Sequence, residues 1–195
     1  PFRSSGDPIL DLSSPRGIDS TGQRQTLDLD FARVMNEQIE QSVSKQGRGD
    51  LDKLFHTGDT WSSRAKLKYA HPLAIDEVAV DHPDVTFVIA HVGYPWYRTA
   101  AEVAYKNPNV YIECSALMTG DMDEIDPDHV ERYVTDAIRY VWGYVEDPAK
   151  LMFGSDWPLV DIEAYVRAYA AAIPVEHHDA VFHDNAARVY GFGGE

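Results

Sequence analysis

The sequence has one cysteine, few basic residues and no long apolar run, and each scarcity excludes a class of protein. Cys114 cannot form an internal disulfide, so the 195-residue chain has no disulfide framework, and we interpret Cys114 as a small buried residue. With 17 basic against 32 acidic residues, the net charge of −15 disfavours binding to nucleic acid or anionic membrane. No run approaches the roughly 18 apolar residues of a membrane-spanning helix, and the opening PFRSSGDP is unlike a signal peptide. We therefore expect a cytoplasmic protein that acts on a small molecule.

The rest of the composition is that of a folded domain with an irregular leading segment. Hydrophobic residues make up 44% of the chain and aromatic residues 11%. The first 26 residues are rich in Ser, Gly, Pro and Asp, which is typical of an irregular arm. From Leu27 to Val43, apolar residues recur every three or four positions and predict one helix. We divide the chain into an arm with one helix, residues 1–50, and one domain, residues 51–195.

Within the domain, short apolar runs alternate with helical patterns. The runs LDKLF, VTFVIA, VYIECSA and KLMF predict strands. Helices are predicted over LAIDEVAVDH, TAAEVAYK and residues 127–144, 162–172 and 176–190. This alternation predicts an α/β fold with a parallel sheet and right-handed crossovers.

Three polar residues stand where an apolar strand stops and a glycine-bearing turn begins. They are His56, His91 and Asp156, in LDKLFHTGD, VTFVIAHVG and KLMFGSDWP. Side chains at the carboxyl ends of parallel strands project into the crevice where α/β enzymes perform their chemistry. Imidazoles and a carboxylate suit a divalent metal and its bound water, so the pattern predicts a divided metal site. The alternative for any single histidine is a structural residue at a strand end.

Several motifs resemble one enzyme family. FHTGDTW, DHPDVTFVIAHVGYPW, NPNVYIECSAL, LMFGSDWPL and DNAARVYGF are similar to the second half of the metal-dependent amidohydrolases of the amidohydrolase-related type. That branch includes the aminocarboxymuconate-semialdehyde and resorcylate decarboxylases. The resemblance covers residues 51–192 and implies a TIM (β/α)₈ barrel, of which this chain would hold the fifth to eighth strands. It implies that His56 binds the metal, that His91 lies beside the substrate or catalytic water, and that Asp156 touches both metal and water.

The chain also departs from the family pattern. The family's first strand supplies a His-x-His pair to the metal, whereas the adjacent histidines here are His177 and His178, in the C-terminal helical region. The length is also below the roughly 250 residues of a full barrel. We therefore expect a partial barrel formed by the C-terminal half. Three protein ligands plus water are usual at catalytic zinc, and His56 and Asp156 would supply two.

The resemblance implies a mechanism based on activated water. The metal would be zinc, with manganese or iron as alternatives, and it would lower the pKa of its bound water toward about 7. Neutral His56 would bind it, and Asp156 would take the proton of the attacking water and pass it to the leaving group. His91 would hydrogen-bond either the water or the developing oxyanion.

The resemblance leaves three functions open. We expect a hydrolase that acts on a small amide, ester or lactone. One alternative is a lyase that removes carbon dioxide from an aromatic or unsaturated carboxylic acid. The other is an inactive fragment with a structural or partner-binding role, whose exposed sheet edges would favour a homo-oligomer.

Aromatic residues close to the three site residues are candidates for contacts with the substrate. Trp61, Trp96 and Trp157 each follow a site residue and suit the walls of a pocket for a planar substrate, or alternatively ordinary packing. Arg64 is a candidate partner for a substrate carboxylate, or alternatively a solvated charge. Glu113 lies between apolar residues of a predicted strand, where we expect it to make a structural hydrogen bond.

Overall fold

A four-stranded parallel sheet lies at the centre of the computed structural model, which describes residues 52–60, 63–121 and 124–191. The strands are β1 (Asp52–Phe55), β2 (Thr86–Ile89), β3 (Val110–Glu113) and β4 (Leu151–Met152), and they pair in that order. Every pairing is parallel, which confirms the predicted α/β class and sheet. The predicted arm, its helix over residues 27–43 and Trp61 lie outside the described residues, so the division at residue 50 stays a prediction.

Most apolar side chains of the four strands are buried. The main core contains inaccessible side chains from all four strands: Phe55, Phe87, Ile89, Ile112 and Leu151. Their alternate neighbours Val88 and Met152 pack with Val189 in a smaller second cluster. Because successive side chains of a strand point to opposite faces, these two clusters lie on the two faces of the sheet.

The helices follow the predicted alternation. They are α1 (Leu73–Asp81), α2 (Tyr97–Lys106), α3 (Pro127–Val130), α4 (Asp136–Val145), α5 (Ile162–Ala170) and α6 (Asn185–Tyr190). A π-helical turn, Glu131–Thr135, joins α3 to α4. Across the described ranges, none of the helices is long and apolar enough to cross a bilayer.

The last predicted strand and the last predicted helix differ most clearly from the sequence-based expectation. The predicted strand KLMF is reduced to Leu151–Met152, because the N–H of Phe153 donates to the carbonyl of Val181 (2.9 Å) instead of to a strand. The predicted helix over residues 176–190 begins as a 3₁₀ turn, Val175–His177, and contains a π-helical turn, Ala180–Asp184, before α6.

Side-chain nitrogens at the amino-terminal end of the sheet bind backbone carbonyls. The ammonium of Lys150 donates to the carbonyls of Asn107 (2.9 Å), Pro108 (2.7 Å) and Val110 (2.9 Å). The amide of Asn109 donates to Ala79, His82 and Val85, and that of Asn185 donates to Pro148 and Leu151. We call Asn109, Lys150 and Asn185 the amino-terminal clamp, because they tie the entrances of β3 and β4 to the surrounding turns.

Candidate active site

The turn after β1 packs directly on the turn after β2. Buried Thr57 donates its hydroxyl to the carbonyl of Ala90 (2.7 Å). Gly58 has φ +98°, and a Cβ there would lie 2.4 Å from the Tyr94 carbonyl oxygen, so only glycine permits this approach. The rings of His56 and His91 consequently lie edge to face, with centroids 4.8 Å apart and planes at 62°. The structure thus brings two of the predicted site residues into contact.

The backbone at the end of β2 is strained. His91 and Val92 have φ values of +56° and +55°, in the left-handed region that non-glycine residues rarely adopt. Such positions cost about 1–3 kcal/mol each and persist only where the surroundings hold them. Val92 is fully buried, and the N–H of His91 donates to Glu113 Oε2 (3.3 Å). Strain maintained in this way is typical of functional sites.

A polar network links the ends of β2, β3 and β4. The hydroxyl of Ser115, a buried residue, donates to Glu113 Oε2 (2.8 Å). Ser115 Oγ and its carbonyl oxygen lie 2.9 and 3.2 Å from Nδ1 of His91. A Cβ at Gly154 would lie 1.5 Å from Glu113 Oε1, so the carboxyl group rests against the bare backbone of that glycine. We call these four residues the Glu113 network.

Burial and hydrogen bonding act in opposite directions on Glu113. Burial is the largest influence and raises the pKa of Glu113. The hydrogen bond from Ser115 and the charge of His91 favour the ionised form and partly oppose that shift. The predicted hydrogen bond of Glu113 is therefore confirmed, but its link to His91 was missed. The two-residue spacing of Glu113 and Ser115, which puts both on one face of a strand, was the available sequence clue.

Asp156 lies in an exposed turn beyond β4. Its φ is +57°, and its carbonyl accepts a hydrogen bond from the N–H of Leu159 (3.0 Å). In residues 52–60, 63–121 and 124–191, no three His, Cys, Asp or Glu side chains come close enough together to hold a metal. Asp156 therefore does not complete a three-ligand site with His56 and His91, and a metal here would need further donors.

The predicted substrate contacts occupy different environments. Trp96 is half-buried just before α2, with its ring 4.9 Å from that of His71. Trp157 is 70% exposed, and Arg64 is also exposed. Their role in substrate binding stays a prediction, as does that of Trp61. Cys114 is a free thiol with no exposed surface, which confirms its interpretation as a small buried residue.

Parallel strands that pair in chain order and end in a shared group of polar residues define an α/β protein, and a TIM barrel has this arrangement. The chain belongs to the Amidohydrolase family, which it matches over residues 47–192. Among curated proteins, no significantly similar sequence is found.

Solved structures with a similar fold include the following three proteins. A TIM-barrel protein from Bordetella bronchiseptica is 21% identical, with a TM-score of 0.56 over 90% of this chain and 55% of its own. An amidohydrolase from Burkholderia multivorans with bound zinc is 20% identical (TM-score 0.51; 63% and 49% covered). A dihydroxybenzoic acid decarboxylase from Polaromonas sp. JS666, with bound manganese and the inhibitor 2-nitroresorcinol, is 12% identical (TM-score 0.51; 75% and 51%).

These likenesses confirm a TIM-barrel type of fold, of which this chain covers a part. The chain spans about half the length of each of the three proteins. Assignment of that part to the C-terminal half of the barrel remains a prediction from the motifs.

Proposed function

We propose that this chain carries part of the active site of a metal-dependent hydrolase that acts on a small amide, ester or lactone. The observation that carries the proposal is the contact of His56 with His91 at two neighbouring strand ends. Membership of the Amidohydrolase family supports it. Metals in two relatives of similar fold, zinc in one and manganese in the other, make a divalent cation the reasonable cofactor. Zinc is our first choice, with manganese or iron as alternatives.

The described residues fit only part of such a metal site. His56 and Asp156 are the proposed ligands, and further donors have to come from outside the described ranges. We therefore confine the proposed mechanism to what the chain's own side chains do with a proton.

In the proposed mechanism, Asp156 and His91 handle the reacting water. The carboxylate of Asp156 is exposed and accepts the proton of the water as it attacks the carbonyl carbon. Asp156 then returns that proton to the departing amine or alcohol. The side chain of His91 hydrogen-bonds the water and fixes its direction of attack. Trp96 and Trp157 would contact a planar substrate, and Arg64 would pair with a substrate carboxylate.

A lyase is the second candidate. A dihydroxybenzoic acid decarboxylase has a similar fold, and the sequence motifs resemble a branch that includes decarboxylases. In that reaction an acid at the strand ends would protonate the carbon that loses carbon dioxide, and Asp156 or His91 would serve. We further propose a cytoplasmic location, a small-molecule substrate and self-association through the sheet edges.

One assay separates these candidates. The purified protein with added zinc or manganese is offered esters, amides, lactones and aromatic or unsaturated carboxylic acids, and both acid formation and carbon dioxide release are measured. We expect acid formation, reduced by about 10²–10⁴-fold in Asp156→Asn. Asp179→Asn, at an exposed residue before the turn Ala180–Asp184, is the matched control.

Each outcome has a defined meaning. Carbon dioxide release, without acid formation from esters or amides, would refute the proposed hydrolase function and support the lyase. Full activity in Asp156→Asn would refute the role of Asp156. Inactivity toward every substrate would favour a non-catalytic, structural or partner-binding role.

A further inference from the structure

We propose that Glu113 is a positioning residue that acts through Ser115 to hold neutral His91 as the tautomer protonated on Nδ1. The ring nitrogen Nε2 is then left unprotonated. The number of protons available to the Glu113 network determines this tautomer.

A serine hydroxyl has one proton, and in Ser115 that proton forms the hydrogen bond to Glu113. Ser115 Oγ donates it to Glu113 Oε2 over 2.8 Å. Toward His91 Nδ1, 2.9 Å away, the same oxygen can only accept. The carbonyl oxygen of Ser115, 3.2 Å from the same nitrogen, can also only accept. Two acceptors at one ring nitrogen require the proton on Nδ1.

The surroundings of Glu113 keep it an acceptor. Its Oε2 also accepts a hydrogen bond from the main-chain N–H of His91, a group that can only donate. Its Oε1 occupies the space that a Cβ at position 154 would fill, so only glycine at that position leaves room for the carboxylate. The network therefore fixes both the backbone of His91, at φ +56°, and the proton on its ring.

The tautomer decides what His91 can do in the proposed reaction. An unprotonated Nε2 accepts a hydrogen bond from water but cannot donate one to an oxyanion. Of the two roles that the sequence leaves open for His91, the network selects contact with the water. This consequence rests on the proposed function, whereas the tautomer itself rests on the hydrogen bonds alone.

The tautomer is measured by nuclear magnetic resonance on the protein with ¹⁵N-labelled histidine, at an alkaline pH where the ring is neutral. Long-range proton–nitrogen correlations distinguish a protonated from an unprotonated ring nitrogen, and the His91 signals are assigned by their loss in His91→Gln. We expect the Nδ1 resonance at the chemical shift of a protonated ring nitrogen and the Nε2 resonance at that of an unprotonated one.

Two variants test the part played by Glu113. Glu113→Met removes the acceptor at Oε2 and keeps a side chain of similar length, which frees the hydroxyl proton of Ser115 for Nδ1, so we expect both nitrogen resonances to shift toward the Nε2–H form. Gly154→Ala keeps every group of the network but displaces the carboxylate, and we expect a shift in the same direction. Ser63→Ala, at an exposed serine, should leave the spectrum unchanged.

The results separate this inference from the proposed function. Nε2–H in the unmodified protein, or a tautomer unchanged in both variants, would overturn the positioning role whether or not the enzyme turns over. If the tautomer is as expected and no substrate is converted, the positioning role stands and the proposed function fails. If both hold, kcat should fall more than KM rises in Glu113→Met.

Discussion

The two ends of the sheet are built in opposite ways. At the amino-terminal end, the clamp of Asn109, Lys150 and Asn185 satisfies eight carbonyl contacts with ordinary backbone geometry. At the carboxyl end, His91 and Asp156 have left-handed backbones. The difference teaches that this chain places buried stabilising contacts at one end of the sheet and its proposed site residues at the other, the division that TIM barrels show.

This contrast predicts that the largest loss of stability follows substitution in the clamp. Lys150 is only 8% exposed, and its ammonium donates hydrogen bonds to three carbonyls. In Lys150→Met those acceptors lose their donor inside the protein, and we expect the free energy of unfolding to fall by about 3 kcal/mol. Urea denaturation measures the change. Lys106→Met, which removes a half-exposed ion pair with Asp76, is the control and should cost no more than about 1 kcal/mol. Equal losses in the two variants would refute the special position of Lys150.

The same lysine predicts a pH dependence. Burial lowers the pKa of Lys150 to about 8 from its ordinary 10.5. Between these two values the unfolded chain holds more protons than the folded one, so the contribution of Lys150 to stability rises with pH across this window. Denaturation series at pH 8 to 10.5 should show this rise in the unmodified protein and a smaller one in Lys150→Met. Identical slopes would contradict the shifted pKa.

One substitution at the carboxyl end of the sheet should also reduce stability, and it is an exception to the division between the two ends. Gly154→Ala places a methyl group on the carboxylate of Glu113, which must move and lose partners. We expect a loss of about 1–3 kcal/mol, the usual cost of a buried polar group left without partners. Gly143→Ala in α4, where a Cβ meets nothing within 4 Å, is the matched control and should gain up to about 1 kcal/mol. Unchanged stability in Gly154→Ala would show that the carboxylate adapts without cost.

Two buried tyrosines provide a finer comparison. Tyr165 and Tyr169 are both fully buried in α5. The hydroxyl of Tyr165 donates to the carbonyl of Cys114 (2.6 Å) and accepts the N–H of Leu117 (3.2 Å). Within the described ranges, that of Tyr169 has no oxygen or nitrogen partner and lies by the Cys114 thiol.

Removal of each hydroxyl should therefore have a different effect. Tyr165→Phe should cost about 1–2 kcal/mol, because a carbonyl and an N–H lose their partner. Tyr169→Phe should be neutral or slightly stabilising. Thermal denaturation of the two variants side by side gives the answer, and the reverse order would contradict the assigned hydrogen bonds.

Much of the fold and part of the site could be predicted from sequence, for physical reasons. Apolar runs bounded by glycine and proline mark where strands stop, so His56, His91 and Asp156 could be located at strand ends. The contact of His56 with His91 required knowing that β1 pairs with β2. The left-handed backbones of His91 and Asp156 have no sequence signature, because neither is glycine.

The Glu113 network was beyond sequence reasoning for a similar reason. Glu113 and Ser115 could be assigned to one face of a predicted strand, but their partners lie in the turns after other strands, 22 residues before Glu113 in the case of His91. Gly154 is explained only by the carboxylate that occupies the space of its missing side chain.

The smallest effect on stability is expected at Trp157. Its side chain is 70% exposed, so Trp157→Ala should change the free energy of unfolding by no more than about 0.5 kcal/mol. If the ring forms part of the substrate pocket, KM should rise while the melting temperature stays the same. An unchanged KM would show that Trp157 is an ordinary surface residue with no part in substrate binding.

Zinc titration by calorimetry is the most direct test of the claim that the carboxyl end of the sheet is a metal-dependent active site. We predict one ion per chain with micromolar or tighter affinity, lost in both His56→Ala and Asp156→Ala. His183→Ala, at an exposed histidine of the C-terminal helical region, should bind as before. Absence of binding in the unmodified protein, or binding retained in both site variants, would contradict the account.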